Sequence, residues 1–289
     1  LAHRVGGTII NADAMQCYAD LRIVTARPTP ADESAAPHRL YGFQPAATPI
    51  TAATWRAAAI AALESAEIPI ITGGTGLYLS ALMNGIAPIP EPDPDSRATA
   101  RAAVAEHGPA AIHARLDPAT AARTDPANPQ RVARAYEVIL ATGRGLAAWQ
   151  SEPTDGLKGY TASLILLDPA RDSLREAIAS RFTAMLEAGV LDEVRSFLAQ
   201  NLDPALPLMR AHGVPELAAY LRGEISLALA AERAILATHQ YTKRQMTWFR
   251  HQKLVAGARQ EILHNRITDS AQFSESFMAD LLNFIYGQA

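Results

Sequence analysis

Short apolar runs, each ending in a polar or glycine turn, set the pattern of this chain. Thr8-Ile9-Ile10-Asn11 is β-branched and uncharged, which predicts a buried strand ending at Ala12-Asp13. Ahead of it, Leu1 to Gly7 reads as the last turn of a helix closed by glycine. Residues 51–66 are alanine-rich, carry Trp55, Ile60 and Leu63, and predict a helix. Ile68 to Thr72 is a second strand, followed by Gly73-Gly74-Thr75-Gly76 and an apolar helix from Leu77 to about Asn84. Helix, strand, glycine loop, helix is the grammar of a parallel α/β sheet. Ligands in such sheets sit at the carboxyl ends of the strands, where Asp13 and Thr75 fall.

Prolines at 88, 90, 92 and 94 break regular structure, and Ser151 to Gly156 breaks it again. Between the breaks lie helical stretches with eight acidic and eight basic side chains over residues 93–158. The expected organisation is an α/β core of residues 1–92 and 159–289 with an all-helical insertion, 93–158. The α/β pattern resumes with a strand from Tyr160 to Leu167. Ser173-Leu174-Arg175-Glu176 has the spacing of a capping box opening a helix that Gly189 closes. A long helix is predicted from about Leu227 to past Arg250. A last one carries Phe273, Phe277, Leu281 and Ile285 on one face.

Composition narrows the class. With 289 residues, 49% hydrophobic and 19% charged, the chain can bury a sizeable core. No uncharged apolar run reaches the ~18 residues of a membrane span. A single cysteine, Cys17, leaves no internal disulfide framework, so a cytoplasmic location is expected. The net charge of −3 means that a nucleic-acid partner must be met by a local patch.

Four segments have the residue types for chemistry. Asp13 at a strand end suits a general base or a metal ligand, or equally a helix N-cap. The glycines around Thr75 let a ligand approach the backbone, or simply turn the chain. In Asn128-Pro129-Gln130-Arg131-Val132-Ala133-Arg134, the two arginines share a helical face and suit phosphate contacts, or form a merely solvated face. Lys243-Arg244-Gln245-Met246-Thr247-Trp248-Phe249-Arg250 interleaves cations with aromatics, and residues 231–260 hold six bases against one acid. That patch fits RNA; the alternative is that Trp248 and Phe249 pack inside while the bases are solvated. There is no Cys-x-x-Cys pair, no zinc-like histidine spacing and no Gly-x-Ser-x-Gly elbow.

Six ordered motifs carry a resemblance. They are Asn-Ala-Asp-Ala-x-Gln-x-Tyr (11–18), Thr-Ala-Arg-Pro (25–28), Pro-His-Arg-Leu (37–40), Gly-Gly-Thr-Gly-Leu-Tyr (73–78), Asn-Pro-Gln-Arg-x-x-Arg-Ala (128–135) and Lys-Arg-Gln-x-Thr-Trp-Phe-Arg (243–250). In this order they resemble the bacterial tRNA dimethylallyltransferases, over almost the whole chain. The resemblance implies a P-loop-NTPase-like α/β fold and transfer of a dimethylallyl group from its diphosphate to the exocyclic amine of the adenosine beside the anticodon. It implies Asp13 as base, Thr75 on the leaving oxygen, Arg181 on the pyrophosphate, and Mg²⁺ bridging its oxygens. It places the tRNA against Asp13, Ala14, Met15, Gln16, Thr75, Arg97, Gln130, Arg131, Arg134, Arg210, Lys243, Arg244 and Arg250. Partners are then tRNA and dimethylallyl diphosphate, with no membrane, and a monomer is expected.

The sequence departs from the family pattern at Val24, at His212-Gly213-Val214-Pro215, and at His239 and Thr242. No Gly-x-x-x-x-Gly-Lys-Ser/Thr loop is present, and the chain opens on Leu1. The natural protein is expected to carry about 20–30 further residues upstream, including that loop, since the motif needs a strand and a helix around it. A non-catalytic RNA-binding module and a prenyltransferase acting on free adenine nucleotides are the alternative readings.

Overall fold

The computed structural model describes residues 1–255, 259–267 and 274–287. The chain divides into two compact units, one of Leu1–Met83 with Gly159–Ala289 and one of Asn84–Lys158.

The first unit is α/β. A helical turn, Ala2–Val5, ends at Gly6 in the left-handed region and leads into β1, Thr8–Asn11. β1 lies between β2, His38–Arg39, and β3, Pro69–Thr72, parallel to both, with Ile9 opposite His38 and Ile70. β4, Leu164–Leu167, and β5, Gln260–Leu263, form a second parallel pair. The strands thus form two separate ladders. β4 is shorter than the Tyr160–Leu167 pattern: it pairs with β5 over Leu164–Leu167, and Gly159 and Tyr160 precede the pairing.

Helices cover these strands. α1, Ala52–Glu64, opens on a reciprocal cap between Thr51 and Thr54, and buries Trp55, Ala59 and Leu63. α2, Gly76–Asn84, starts at the glycine loop after β3. In the second unit, α3, Pro94–His107, and α4, Pro129–Thr142, each begin on a proline behind an Asp93 or Asn128 cap. Their core holds Val104, Ile112 and Val132.

Back in the first unit, α5 spans Arg171–Glu187 and α6 spans Val190–Leu198, with Gly189 left-handed between them. The capping box expected at Ser173 does not form. The helix begins two residues earlier, and Ser173 is already inside its first turn. Asp172 supplies the favourable negative charge there and pairs with Arg175 at 3.2 Å. α7, Val214–Leu221, packs on α8, Leu227–His251, and α9 is Glu275–Tyr286. Phe273 of the expected last-helix stripe lies outside the described residues, while Leu281 of that stripe is buried.

The main core joins the loop after β1 to α5, α6 and α7 through Tyr18, Leu21, Phe182, Val194, Phe197 and Leu217. Val24 belongs to it and fills the space over Gly213, where an added Cβ would lie 2.9 Å from its Cγ2. The unusual valine and the His-Gly-Val-Pro segment thus meet in one packing contact. Among the described residues no helix is long and apolar enough to cross a membrane.

Candidate active site

The site grows from the end of β1. Asn11 is fully buried, and a buried amide must be satisfied. Its Oδ1 accepts the Asp13 N–H at 2.8 Å, and its Nδ2 donates to the carbonyls of Asp13 at 2.9 Å and Leu40 at 3.0 Å. The chain is thereby folded back so that Asp13 leaves the strand in one fixed direction. The Asp13 Oδ1 accepts from the N–H groups of Met15 at 2.9 Å and Gln16 at 3.3 Å, capping the short 3₁₀ turn Met15–Cys17. The N-cap reading of this aspartate is realised, but by one oxygen only. Among the described residues Oδ2 has no hydrogen-bond partner.

Burial raises the Asp13 pKa above the usual carboxylate value, against the lowering pull of the two amides and of His212. The same burial pushes the Cys17 thiol up to about 12, with Asp13 adding to the rise, so Cys17 is no ready nucleophile.

Thr75 is brought to the same place from β3. Its N–H donates to the Ala12 carbonyl at 3.1 Å, and its Oγ1 accepts the Ala14 N–H at 2.9 Å. Gly73 passes so close that a Cβ would collide with the Ala12–Asp13 peptide. Asp13 and Thr75 are thus fastened to each other through the backbone between them. Gln16 turns away from this point and donates to the carbonyls of Thr25 at 2.9 Å and Ala26 at 3.0 Å, while Met15 packs on the main core.

Three residues outside the Asp13 and Thr75 motifs join them. The His212 ring lies 5.1 Å from that of Tyr241, and burial, then the Arg244 charge, lowers its pKa. Gln245 Nε2 donates to the Gly74 carbonyl at 3.0 Å. The 241–245–248 spacing on one helix was the available signal, since it places Tyr241, Gln245 and Trp248 on one face.

The remaining sequence candidates are spread over the molecule. Arg181 is exposed on α5, Arg210 is exposed on the turn Pro207–Arg210, and Lys243 and Arg244 are exposed on α8. Arg244 stands over the Tyr241 ring. Arg250 is spent on Asp168 at the end of β4, 3.1 Å away. Trp248 meets Phe249 edge-on and lies against Gly76, which favours the packed alternative over a free stacking platform.

In the helical unit, Arg97 pairs with Glu91 at 3.4 Å. Gln130, Arg131 and Arg134 line a cavity of about 380 Å³ together with Arg123, Thr124 and Gln150. The buried Glu137 carboxylate holds the Arg134 guanidinium. Arg123 and Gln150 come from segments that no sequence motif connects to Arg131.

Comparison with known proteins shows the family. The family model described as IPP transferase matches residues 16–252. A tRNA dimethylallyltransferase of Acidiphilium cryptum is 62% identical over 287 residues, 98% of this chain and 88% of that protein. One of Granulibacter bethesdensis is 52% identical over 99% of this chain and 92% of its own length. The crystal structure of a full-length tRNA isopentenylpyrophosphate transferase from Bacillus halodurans superimposes with a TM-score of 0.67 at 29% identity, covering 99% of this chain and 89% of that one. By sequence, by fold and by the family model, the chain belongs to the IPP transferase family.

Proposed function

We propose that this protein transfers a dimethylallyl group from dimethylallyl diphosphate to the exocyclic amine of the adenosine beside the anticodon of tRNA, releasing pyrophosphate. The observation that carries the reading is the pairing of Asp13 and Thr75. A carboxylate with one oxygen fixed and the other unpartnered among the described residues stands next to a hydroxyl fastened to the same turn.

The adenine amine is a weak nucleophile because its lone pair is delocalised into the ring. As its nitrogen bonds to the allylic carbon, the carbon–oxygen bond to diphosphate breaks and the nitrogen must lose a proton. Asp13 Oδ2 accepts that proton, and the raised pKa makes it a better base than an exposed aspartate. The Thr75 hydroxyl donates to the departing oxygen, and Arg181 meets the pyrophosphate charge.

Among the described residues no three carboxylate, histidine or cysteine side chains gather as a metal site. The donor set does not fit a protein-held ion. Magnesium would come with the diphosphate, whose oxygens are its preferred ligands.

The tRNA is gripped through its phosphates by Lys243, Arg244 and Arg210 of the α/β unit, and by Arg97, Gln130, Arg131 and Arg134 of the helical insertion, residues 93–158. The adenine leaves its stack to reach Asp13. A monomer in the cytoplasm suffices for this chemistry.

The test is to incubate the protein with dimethylallyl diphosphate and either tRNA or AMP, and to look for prenylated adenosine by mass spectrometry of the digest. Product from tRNA alone is expected. Product from AMP would favour a nucleotide prenyltransferase, and tRNA binding without product would favour an RNA-binding module.

A further inference from the structure

One face of α8 meets the glycine loop at Gly74 and Gly76. Tyr241, Gln245 and Trp248 are spaced i, i+4 and i+7, hence aligned along the helix. Gln245 Nε2 donates to the Gly74 carbonyl at 3.0 Å, across 171 residues of sequence. The Trp248 indole covers Gly76 so closely that no Cβ fits there, and a Cβ on Gly74 would run into the Gln245 amide.

The loop needs such a hold. Three of its four residues are glycine, which has the widest choice of backbone conformation and loses the most entropy on ordering. The Gly74 carbonyl belongs to the same peptide plane as the Thr75 N–H. Fixing that carbonyl therefore fixes the N–H, which donates to Ala12, and with it the Cα from which the Thr75 side chain springs.

The hydroxyl follows by counting. A threonine oxygen has two acceptor positions and one proton. The Ala14 N–H fills one position. With that position filled, the Thr75 proton remains for donation to a further group.

We propose that Gln245 is a positioning residue that, by locking the Gly74–Thr75 peptide, aims the Thr75 hydroxyl at the leaving oxygen. The inference rests on the role given above to Thr75, but its mechanical half can be tested alone. α8 would then serve two purposes: Lys243 and Arg244 face solvent, while Gln245 and Trp248 hold the loop.

The experiment compares wild type, Gln245→Leu and Gln245→Glu, each checked for native circular dichroism. Glutamate keeps the shape but sets an acceptor against the Gly74 carbonyl, so it stands in if leucine misfolds. Amide exchange at Thr75, followed by NMR, is expected to speed up about fivefold, since one lost hydrogen bond is worth roughly 1 kcal/mol. Unchanged protection would overturn the proposal whatever the activity. In turnover assays the same variants should lose about tenfold in kcat while Kd and KM for tRNA stay within about twofold. In a Thr75→Ala background the Gln245 effect should vanish, as residues acting through one another are not additive. Weaker tRNA binding with normal kcat, or full additivity with Thr75→Ala, would also overturn it. Absence of prenyl transfer by the wild type would count against the function proposed above, and the exchange result would still decide the clamp.

Discussion

The indole N–H of Trp55 donates to the backbone carbonyl of Asn11 at 2.9 Å. Trp55 is fully buried and stacks on Tyr78 with ring centroids 4.6 Å apart. α1, backed by Tyr78 of α2, therefore holds the last residue of β1 at its carbonyl, while the Asn11 side chain directs Asp13. Trp55→Phe should keep the stack but strand a buried carbonyl. The expected cost is about 1–3 kcal/mol of stability, measured by urea unfolding, with kcat falling as well because the Asp13 turn loosens.

Asp13→Asn should act in opposite directions on activity and stability. Turnover should fall by roughly 10²–10⁴ with tRNA affinity nearly intact, because asparagine cannot accept the amine proton. Near-normal turnover would remove Asp13 from the base role. Stability follows from the raised pKa of the folded state. A carboxyl whose pKa rises on folding stabilises the protein while protonated, and that contribution is lost as pH climbs from the ordinary 3.8 through the higher folded value. Asparagine resembles the protonated form. The variant should match wild type below about pH 3.8 and be more stable at neutral pH. Chemical denaturation at the two pH values measures the difference.

Much of this site is legible in the amino-acid pattern. The β-branched run before Asp13 and the apolar run before Gly73 mark two strand ends, and parallel sheets put ligands there. The partners of those residues are not legible. β2 is only His38 and Arg39, and β5 is Gln260 to Leu263, so neither has a periodicity to read. Their pairing is set by distant strands. Gln16 and Gln245 look like polar contacts for a ligand, yet each donates to a loop carbonyl. Amides serve either purpose, and only packing decides. The Ser173 box fails for a local reason: a charged first turn at Asp172 competes with it for the helix start.

The cations on α8 should separate by their partners. If Lys243 meets a phosphate, tRNA binding weakens steeply with salt, and Lys243→Ala should lower the logarithmic salt slope by about one unit. Arg250→Ala should change that slope less, since its guanidinium is already paired with Asp168. It should instead loosen the end of β4. Equal slope changes for the two variants would mean that Arg250 leaves Asp168 when RNA arrives. A binding constant indifferent to salt would dismiss the patch.

Glu193 on α6 offers a test away from the chemistry. Its carboxylate accepts three successive backbone N–H groups, from Arg22 at 2.6 Å, Ile23 at 2.7 Å and Val24 at 2.9 Å. Hydrogen bonds to an ionised group are worth more than neutral ones, and three on one side chain define a cradle. The loop they hold matters: Gln16 rests on Thr25 and Ala26, and Val24 fills the space above Gly213, next to His212. Glu193→Gln replaces an acceptor by a donor facing one of those amides, at an expected cost of about 1–3 kcal/mol. Glu193→Ala leaves all three without a protein partner and should cost more. Both changes should raise proteolytic cleavage near residues 22–26. Because Gln16 follows Asp13 by three positions in the same turn, kcat should fall in the same order as stability. Unaltered stability in Glu193→Ala would mean that water replaces the carboxylate at no cost and that the loop is held instead by the Val24 side chain and by Arg27, whose guanidinium donates to the Tyr18 carbonyl at 2.8 Å.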